Sequence, residues 1–216
     1  MTAQATGFFI SVEGIDGSGK STQAELLVDR LRQTGEVVTA VRDPGSTALG
    51  ERVRALLLEN SNAEPTDPLA EVALFLAARV QLLRELIEPA LAADQLVVSD
   101  RYLDSTLAYQ GAGRGLDQGR LLELHRLAGA ERLPDLTLIL DLEVGVAQER
   151  ARPGSFRDRM EAEPTAYHER VRQGYLALAL RFPERIVLQP AHRPLEELAE
   201  SCWEVTRERL KTRRTT

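Results

Sequence analysis

Apolar residues fall along this chain in short continuous runs, separated by longer stretches in which they recur every three or four positions. The runs Phe8–Val12, Val37–Val41, Leu96–Ser99, Leu136–Leu140 and Ile186–Leu188 have the length and the branched or aromatic content of strands. Most are apolar throughout rather than alternating, which suits strands covered by helices on both faces, the habit of a parallel sheet. Between them the period changes to that of a helix, as in Ala24, Leu27 and Leu31, so the order along the chain predicts an α/β fold. Gly35 is placed to end the first helix before the second strand. Asp67-Pro68 reads as an N-cap followed by proline at the first helical position, opening a long helix toward Ile87. Along that helix Leu69, Val72, Leu76, Val80, Leu83 and Ile87 form one stripe, and Phe75, Arg79, Leu82 and Leu86 a second. A helix apolar over so much of its circumference needs a second partner, either a ligand or another subunit.

Composition narrows the class. With 216 residues and 43% hydrophobic content the chain can bury one full core, and no repeat, low-complexity linker or composition break divides it. A single domain over residues 1–216 is the expectation. The net charge of −6 argues against a general nucleic-acid binder, which would carry a basic excess. One cysteine, Cys202, excludes an internal disulfide framework and suits a reducing compartment. The opening MTAQATG has neither basic residues nor a signal-type apolar stretch, and no run is long enough to span a membrane. A soluble, cytoplasmic protein is expected.

Positive charge is carried by 25 arginines and only two lysines. One of the two, Lys20, lies in GIDGSGKS, Gly14 to Ser21, directly after the first strand. This is the G-x-x-x-x-G-K-[ST] spacing, in which glycines let successive backbone N–H groups turn inward around phosphate oxygens. A lysine reaches the β- and γ-phosphates there as a compact point charge, where a planar guanidinium would not fit. Ser21 offers a hydroxyl to Mg²⁺, and the following helix adds the partial positive charge of its N-terminus. Gly14, Ile15, Asp16, Gly17, Ser18, Gly19, Lys20, Ser21 and Thr22 are therefore the expected segment for binding a nucleoside triphosphate.

In an open parallel sheet the site lies at the carboxyl ends of the strands, and two further charged clusters fall there. The second strand leads into Arg42-Asp43-Pro44-Gly45 and the third into Asp100-Arg101-Tyr102. Asp100 stands where a nucleotide kinase holds Mg²⁺, with Ser21 as its companion. Arg42 and Arg101 either make ordinary surface ion pairs or flank a second phosphate; their occurrence at two strand ends beside a phosphate loop favours the phosphate. Asp16 would repel a triphosphate, so it either shapes the turn or faces an acceptor hydroxyl or hydrated Mg²⁺. Phe75 and Arg79 share a helix face, as a base stack with a polar donor or as a core phenylalanine beside an arginine lying over apolar surface. The insertion RARPGSFRDR, Arg150 to Arg159, is either a solvated basic loop or a lid that brings charge to the transferring phosphoryl group and excludes water.

Taken together these segments resemble the bacterial thymidylate kinases. The resemblance covers nearly the whole chain and rests on FISVEGIDGSGKSTQ, RDPGSTALGERVRALLL, FLAARVQLLRELIEPAL, VVSDRYLDSTLAYQGAGRGL and DRME…RVRQGYLALA. It implies the P-loop NTPase fold, a five-stranded parallel sheet with helices on both faces and a short arginine-rich lid at about 143–162. It also implies transfer of the ATP γ-phosphoryl group to dTMP, with Mg²⁺, in a homodimer. Carried over by position, Arg42 and Arg101 would hold the acceptor phosphate with Pro44 of the turn beside them, and Asp16 would meet the sugar 3′-hydroxyl. Phe75 would stack on thymine, Arg79 would bond its O4 edge, Thr106 and Gln110 would reach the base, and Tyr109 would crowd the sugar 2′ position. The loop has no internal basic residue, which looks like the subtype whose catalytic arginines come from the lid. Arg150, Arg152 and Arg157 are then the candidates to join Lys20, Arg101 and Asp16 in catalysis.

The chain departs from the family pattern in three places. Arg-Asp-Pro-Gly-Ser replaces the usual Arg-Glu-Pro-Gly-Gly after the second strand, Gln189-Pro190-Ala191 stands where Asp-Ala is common, and Tyr167-His168 replaces a more usual aromatic pair. Two other functions compete. A kinase of another nucleoside monophosphate or of a deoxynucleoside would share the fold, although a nucleoside would leave the paired arginines facing nothing. A GTP-dependent switch would need an N-K-x-D element for guanine, and the chain has none.

Overall fold

The structure is a computed structural model that describes residues 7–58, 66–150 and 159–213. Five strands, β1 (Phe8–Gly14), β2 (Val38–Arg42), β3 (Leu96–Asp100), β4 (Leu136–Asp141) and β5 (Ile186–Pro190), form one sheet in the order β2-β3-β1-β4-β5. Every neighbouring pair is parallel. The five apolar runs of the sequence thus become the five strands, each extended by one to two residues at its carboxyl end. Those extra residues include Gly14, which pairs with Leu140, and Arg42 and Asp100, which pair with each other, Asp100 also pairing with Val12. The register brings the phosphate loop and both arginine-bearing turns to the carboxyl end of the sheet.

Helix α1 (Lys20–Gln33) opens at Gly19 and closes through Thr34 onto Gly35, whose φ of 87° provides the left-handed cap expected of it. Its buried residues Ala24, Leu27, Val28 and Leu31 pack with Phe8, Ile10 and Val12 of β1 and with Leu198, Cys202 and Trp203 of α9 (Leu195–Arg213). On the opposite face of β1, Phe9 packs in a second apolar cluster with Val97, Leu82, Leu83 and Tyr102. The side-chain period of two sends Ser11 and Glu13 to the same face as Phe9. That face is therefore apolar at its base and polar, though fully buried, toward the site.

The long helix forms where the capping signal places it. In α3 (Pro68–Leu82), which follows α2 (Ala48–Leu58), Asp67 Oδ1 accepts from Leu69 N at 2.8 Å and Ala70 N at 3.4 Å, with Pro68 at the first position. It runs on through a π-helical segment, Leu83–Ile87, into α4 (Glu88–Ala92). Val72, Leu82, Leu83 and Ile87 are buried, but Leu69 is 63% exposed, so the core stripe begins one turn later than the sequence suggests. A second π-helical segment, Leu107–Gly113, follows the short α5 (Leu103–Thr106) and is succeeded by α6 (Gln118–Leu127). It packs against α8 (Thr165–Arg181), with Gly174 lying against Ala108 and Ala112. After β4 comes α7 (Val144–Arg150), and the rest of the proposed lid up to residue 158 lies outside the described residues.

Candidate active site

The phosphate loop connects β1 to α1 through two left-handed glycines. Gly17 has φ 81° and Gly19 φ 88°. A Cβ on Gly17 would lie 2.5 Å from Ala147 O, so the loop is pressed against α7 where only glycine fits. Lys20 is buried, and its Nζ donates to Ile15 O and to Asp16 Oδ1, both at 3.2 Å. Burial and the nearby Arg101 lower the Lys20 pKa, against the pull of Asp16 and Asp100. Ser21 Oγ donates to Asp100 Oδ2 at 2.6 Å, while Asp100 Oδ1 is buried without a partner. A hydroxyl and a carboxylate in contact, with one oxygen unspent, are the hard donors that a Mg²⁺ already holding phosphates and water takes from protein.

Asp16 joins the two halves of the site. Its Oδ1 accepts from both Lys20 Nζ and Arg101 Nη2, and its Oδ2 accepts from Tyr109 Oη at 2.9 Å. Burial alone would raise the Asp16 pKa, but Lys20 and Arg101 hold it well below the usual carboxylate range. Arg101 has φ 69°, an uncommon backbone state for a residue with a Cβ, and its guanidinium is braced on several sides. Its Nη1 donates to Gly14 O and Ser105 Oγ, both at 3.1 Å; its Nη2 donates to Tyr109 Oη at 3.0 Å, and the group lies over the Tyr109 ring.

Glu13 supports this arrangement from beneath. It is fully buried and accepts from Tyr102 N at 2.6 Å, Ser105 Oγ at 2.6 Å, Ser11 Oγ at 2.9 Å and Tyr175 Oη at 2.9 Å. The residue after Arg101 and the hydroxyl that braces Arg101 are thus both fixed by one carboxylate. Burial, with the charge of Asp104, outweighs the Ser105 and Ser11 hydroxyls and the Arg101 charge and raises the Glu13 pKa to about 7.

The turn after β2 explains how the chain tolerates its departure there. Ser46 takes φ 64°, a region easy for glycine and costly for serine. Its Oγ accepts from Arg42 N at 2.8 Å and its N–H donates to Glu51 Oε1 at 2.7 Å, which offsets that cost locally. Arg42 is half-exposed, with Nη2 shared between Glu51 Oε1 and Oε2 at 3.0 and 3.1 Å. A third arginine, Arg54 of α2, lines the same cleft and donates from Nη1 to Pro44 O at 3.2 Å. Burial and the positive charges of Arg42 and Arg101 lower its pKa, which marks three cations converging on one region. Arg54 is missing from the sequence-based set because it belongs to the helix after the turn and has no local motif of its own.

The shorter acid at position 43 finds a partner in Arg79. The two are buried and meet through Asp43 Oδ2 and Arg79 Nε at 2.5 Å. Arg79 also donates to Thr106 Oγ1 at 2.9 Å, His125 Nε2 at 2.7 Å and Tyr102 O at 3.2 Å. Since His125 Nε2 must accept, its Nδ1 carries the proton and donates to Leu121 O at 2.7 Å. Burial and the Arg79 charge push the His125 pKa down to about 4. Four of the five Arg79 donors are thereby committed to protein, leaving one Nη2 hydrogen for the cleft. Phe75 lies one turn earlier on α3, half-buried against Val53, Leu57 and Ala78 and lining the same wall.

These groups surround a cleft of about 910 Å³ that runs from the phosphate loop to Phe75, Thr106 and Gln110. Arg150 lines it at the end of α7, its Nη1 donating to Ala191 O at 3.0 Å, beside the Gln189-Pro190 departure. Arg152 and Arg157 lie outside the described residues. Lys20, Arg101 and Tyr109 are bonded to Asp16 and Ser21 to Asp100, while Phe75, Arg79, Thr106 and Gln110 collect at the far end. No cluster of three or more His, Cys, Asp or Glu side chains suited to a metal exists among the described residues.

A family model described as thymidylate kinase matches residues 12–202. A thymidylate kinase of Synechococcus sp. is 48% identical over 204 residues, covering 94% of this chain and 95% of that protein. The thymidylate kinase of Deinococcus radiodurans is 43% identical over 203 residues, covering 94% of this chain and 98% of its own length. Among solved structures, a thymidylate kinase from Ehrlichia chaffeensis superposes with a TM-score of 0.74 at 32% identity, covering 93% of this chain and 98% of that one.

Proposed function

The chain belongs to the thymidylate kinase family, and from that premise we propose how its cleft moves the γ-phosphoryl group of ATP onto dTMP. The reaction gives ADP and dTDP, and the enzyme is a phosphotransferase. The observation that carries the mechanism is the sharing of Asp16 Oδ1 between Lys20 and Arg101. Two cations that touch one oxygen are close enough to serve donor and acceptor phosphates of a single transfer. Catalysis of this kind is mostly positioning and charge neutralisation, since the phosphoryl group passes between oxygens held in line.

In the resting site Asp16 occupies both cations. Arriving phosphates compete for them, Lys20 turning to the β/γ oxygens and Arg101, with Arg42 and Arg54, to the acceptor phosphate. Asp16 then keeps Tyr109 Oη and gains the acceptor 3′-hydroxyl, which fixes the sugar. Ser21 and Asp100 would hold Mg²⁺, which would supply positive charge to offset that of the phosphates. Phe75 stacks on the base, and Arg79, Thr106 and Gln110 face its polar edge. Arg150 is the described lid candidate for charge on the transferring group, with Arg152 and Arg157 as its companions.

Two coarser features fit this reading. No helix among the described residues is long and apolar enough to cross a membrane, and the lone, buried Cys202 suits a reducing cytoplasm. One face of α3 carries Leu69, Ala73 and Ala77 exposed. A second copy of the chain would cover that face in a homodimer.

An ADP-release assay across dTMP, dUMP, dCMP, dGMP, AMP and thymidine tests the assignment. The expected result is turnover with dTMP far above the rest and dUMP next, because one methyl group is worth only about 10- to 200-fold. Turnover with thymidine equal to that with dTMP would leave the three arginines without a phosphate to hold and refute the acceptor site.

A further inference from the structure

Glu71, in the first turn of α3, is a buried carboxylate that the reaction itself does not use. Its side chain has no solvent exposure. Oε2 accepts from Arg159 Nη2 at 2.6 Å and from Arg114 Nη2 at 3.3 Å. Oε1 accepts from Gln110 Nε2 at 2.9 Å. The two arginines are themselves tied down, Arg159 through Nε to Leu57 O at 3.0 Å and Arg114 through Nη1 to Glu163 Oε1 at 2.6 Å. Glu71 therefore cannot swing away from Gln110 without breaking two ion pairs.

Gln110 is almost completely buried and lines the base end of the cleft beside Thr106, Phe75 and Arg79. An amide side chain can turn over and exchange its donor and acceptor ends at little intrinsic cost, but a carboxylate is an acceptor only. Facing Glu71, the amide must direct its NH₂ there, and the carbonyl oxygen is fixed on the other side. Thymine and uracil carry a donor at N3 flanked by carbonyl acceptors, whereas cytosine carries an acceptor at N3 and an amino donor beside it. A glutamine free to turn would suit either pattern; one held in this orientation meets an N3–H and opposes a bare N3.

We propose that Glu71 is a specificity-positioning residue that locks the Gln110 amide so that the site accepts pyrimidines bearing N3–H and rejects cytosine. The inference rests on the reading that Gln110 reaches the base, and it goes further by assigning the origin of its polarity. A site built to match a hydrogen-bonding edge discriminates more strongly than an apolar pocket, because the wrong edge leaves buried polar atoms unpaired.

The test is the ratio of kcat/KM for dTMP to that for dCMP in the wild type, Glu71→Gln, Gln110→Leu and the double variant. Glu71→Gln can present either end of its own amide, so the ratio should fall about tenfold or more, partly through a gain on dCMP. In the Gln110→Leu background the same substitution should change the ratio by less than about twofold, since its effect is transmitted through Gln110. A ratio unchanged by Glu71→Gln, with both substrates slowed alike, would reduce Glu71 to an anchor for Arg114 and Arg159 and overturn the proposal. A ratio unchanged by Gln110→Leu would remove the base contact itself, a separate failure of the underlying reading. If Glu71→Gln does not fold, neutron diffraction of the wild type with dTMP distinguishes the amide ends directly. Nε2 on Glu71 with Oε1 on the base N3–H supports the lock, and the reverse overturns it.

Discussion

Lys20 and Arg101 were legible from sequence because each sits beside a pattern: a glycine spacing for one, a strand end for the other. Glu13, Glu71 and His125 were not, because each is a buried polar residue whose partners lie far along the chain. Glu13 meets Tyr175 across 162 positions and His125 meets Arg79 across 46, separations that leave no local trace. These two hidden residues have opposite consequences for stability. The Glu13 pKa is raised from 4.5 to about 7, so the native state retains a proton that the unfolded chain releases, and stability falls as pH rises through that window. The His125 pKa is lowered from 6.5 to about 4, so the unfolded chain takes up a proton that the native state refuses, and stability rises with pH over its window. Each amounts to roughly 3 kcal/mol across its range, and in the wild type they largely cancel between about pH 4.5 and 6.5. Urea unfolding over that range should give a rising profile for Glu13→Gln and a falling one for His125→Gln. Profiles parallel to the wild type in both variants would contradict the assigned protonation states.

Elements were more legible than their faces. All five strands and the capped start of α3 followed from apolar runs and from Asp67-Pro68, signals that act within a few residues. The π-helical segments at Leu83–Ile87 and Leu107–Gly113 did not, because widening by one residue is decided by what the helix packs against. The second of them places Tyr109 toward Asp16 and Gln110 toward Glu71, side by side in the cleft wall. The exposure of Leu69 is a smaller case of the same limit, since periodicity gives a face but not where its cover begins. Asp67→Ala should cost about 1 kcal/mol by removing the acceptor for Leu69 N and Ala70 N. Chemical denaturation would show it as a lower midpoint with unchanged slope, and an unchanged midpoint would mean that proline and packing alone start the helix.

At the scale of the molecule, the sheet order places β1 between β3 and β4. The phosphate loop therefore emerges between the turn bearing Asp100-Arg101 and α7, which presses on Gly17. The proposed donor and acceptor sites are adjacent because their strands are adjacent, an arrangement implied by alternating strands and helices but fixed only by the strand order. The central claim is that this adjacency divides the labour, with Lys20 on the donor phosphates and Arg101 on the acceptor phosphate. Steady-state kinetics of Arg101→Lys, with ATP and dTMP varied separately, test it most directly. A lysine keeps the charge but loses the fork, so KM for dTMP should rise about 10- to 100-fold, the equivalent of one or two charge-assisted hydrogen bonds, while KM for ATP stays within about twofold of the wild type. A raised KM for ATP with an unchanged KM for dTMP would put Arg101 on the wrong substrate and contradict the account.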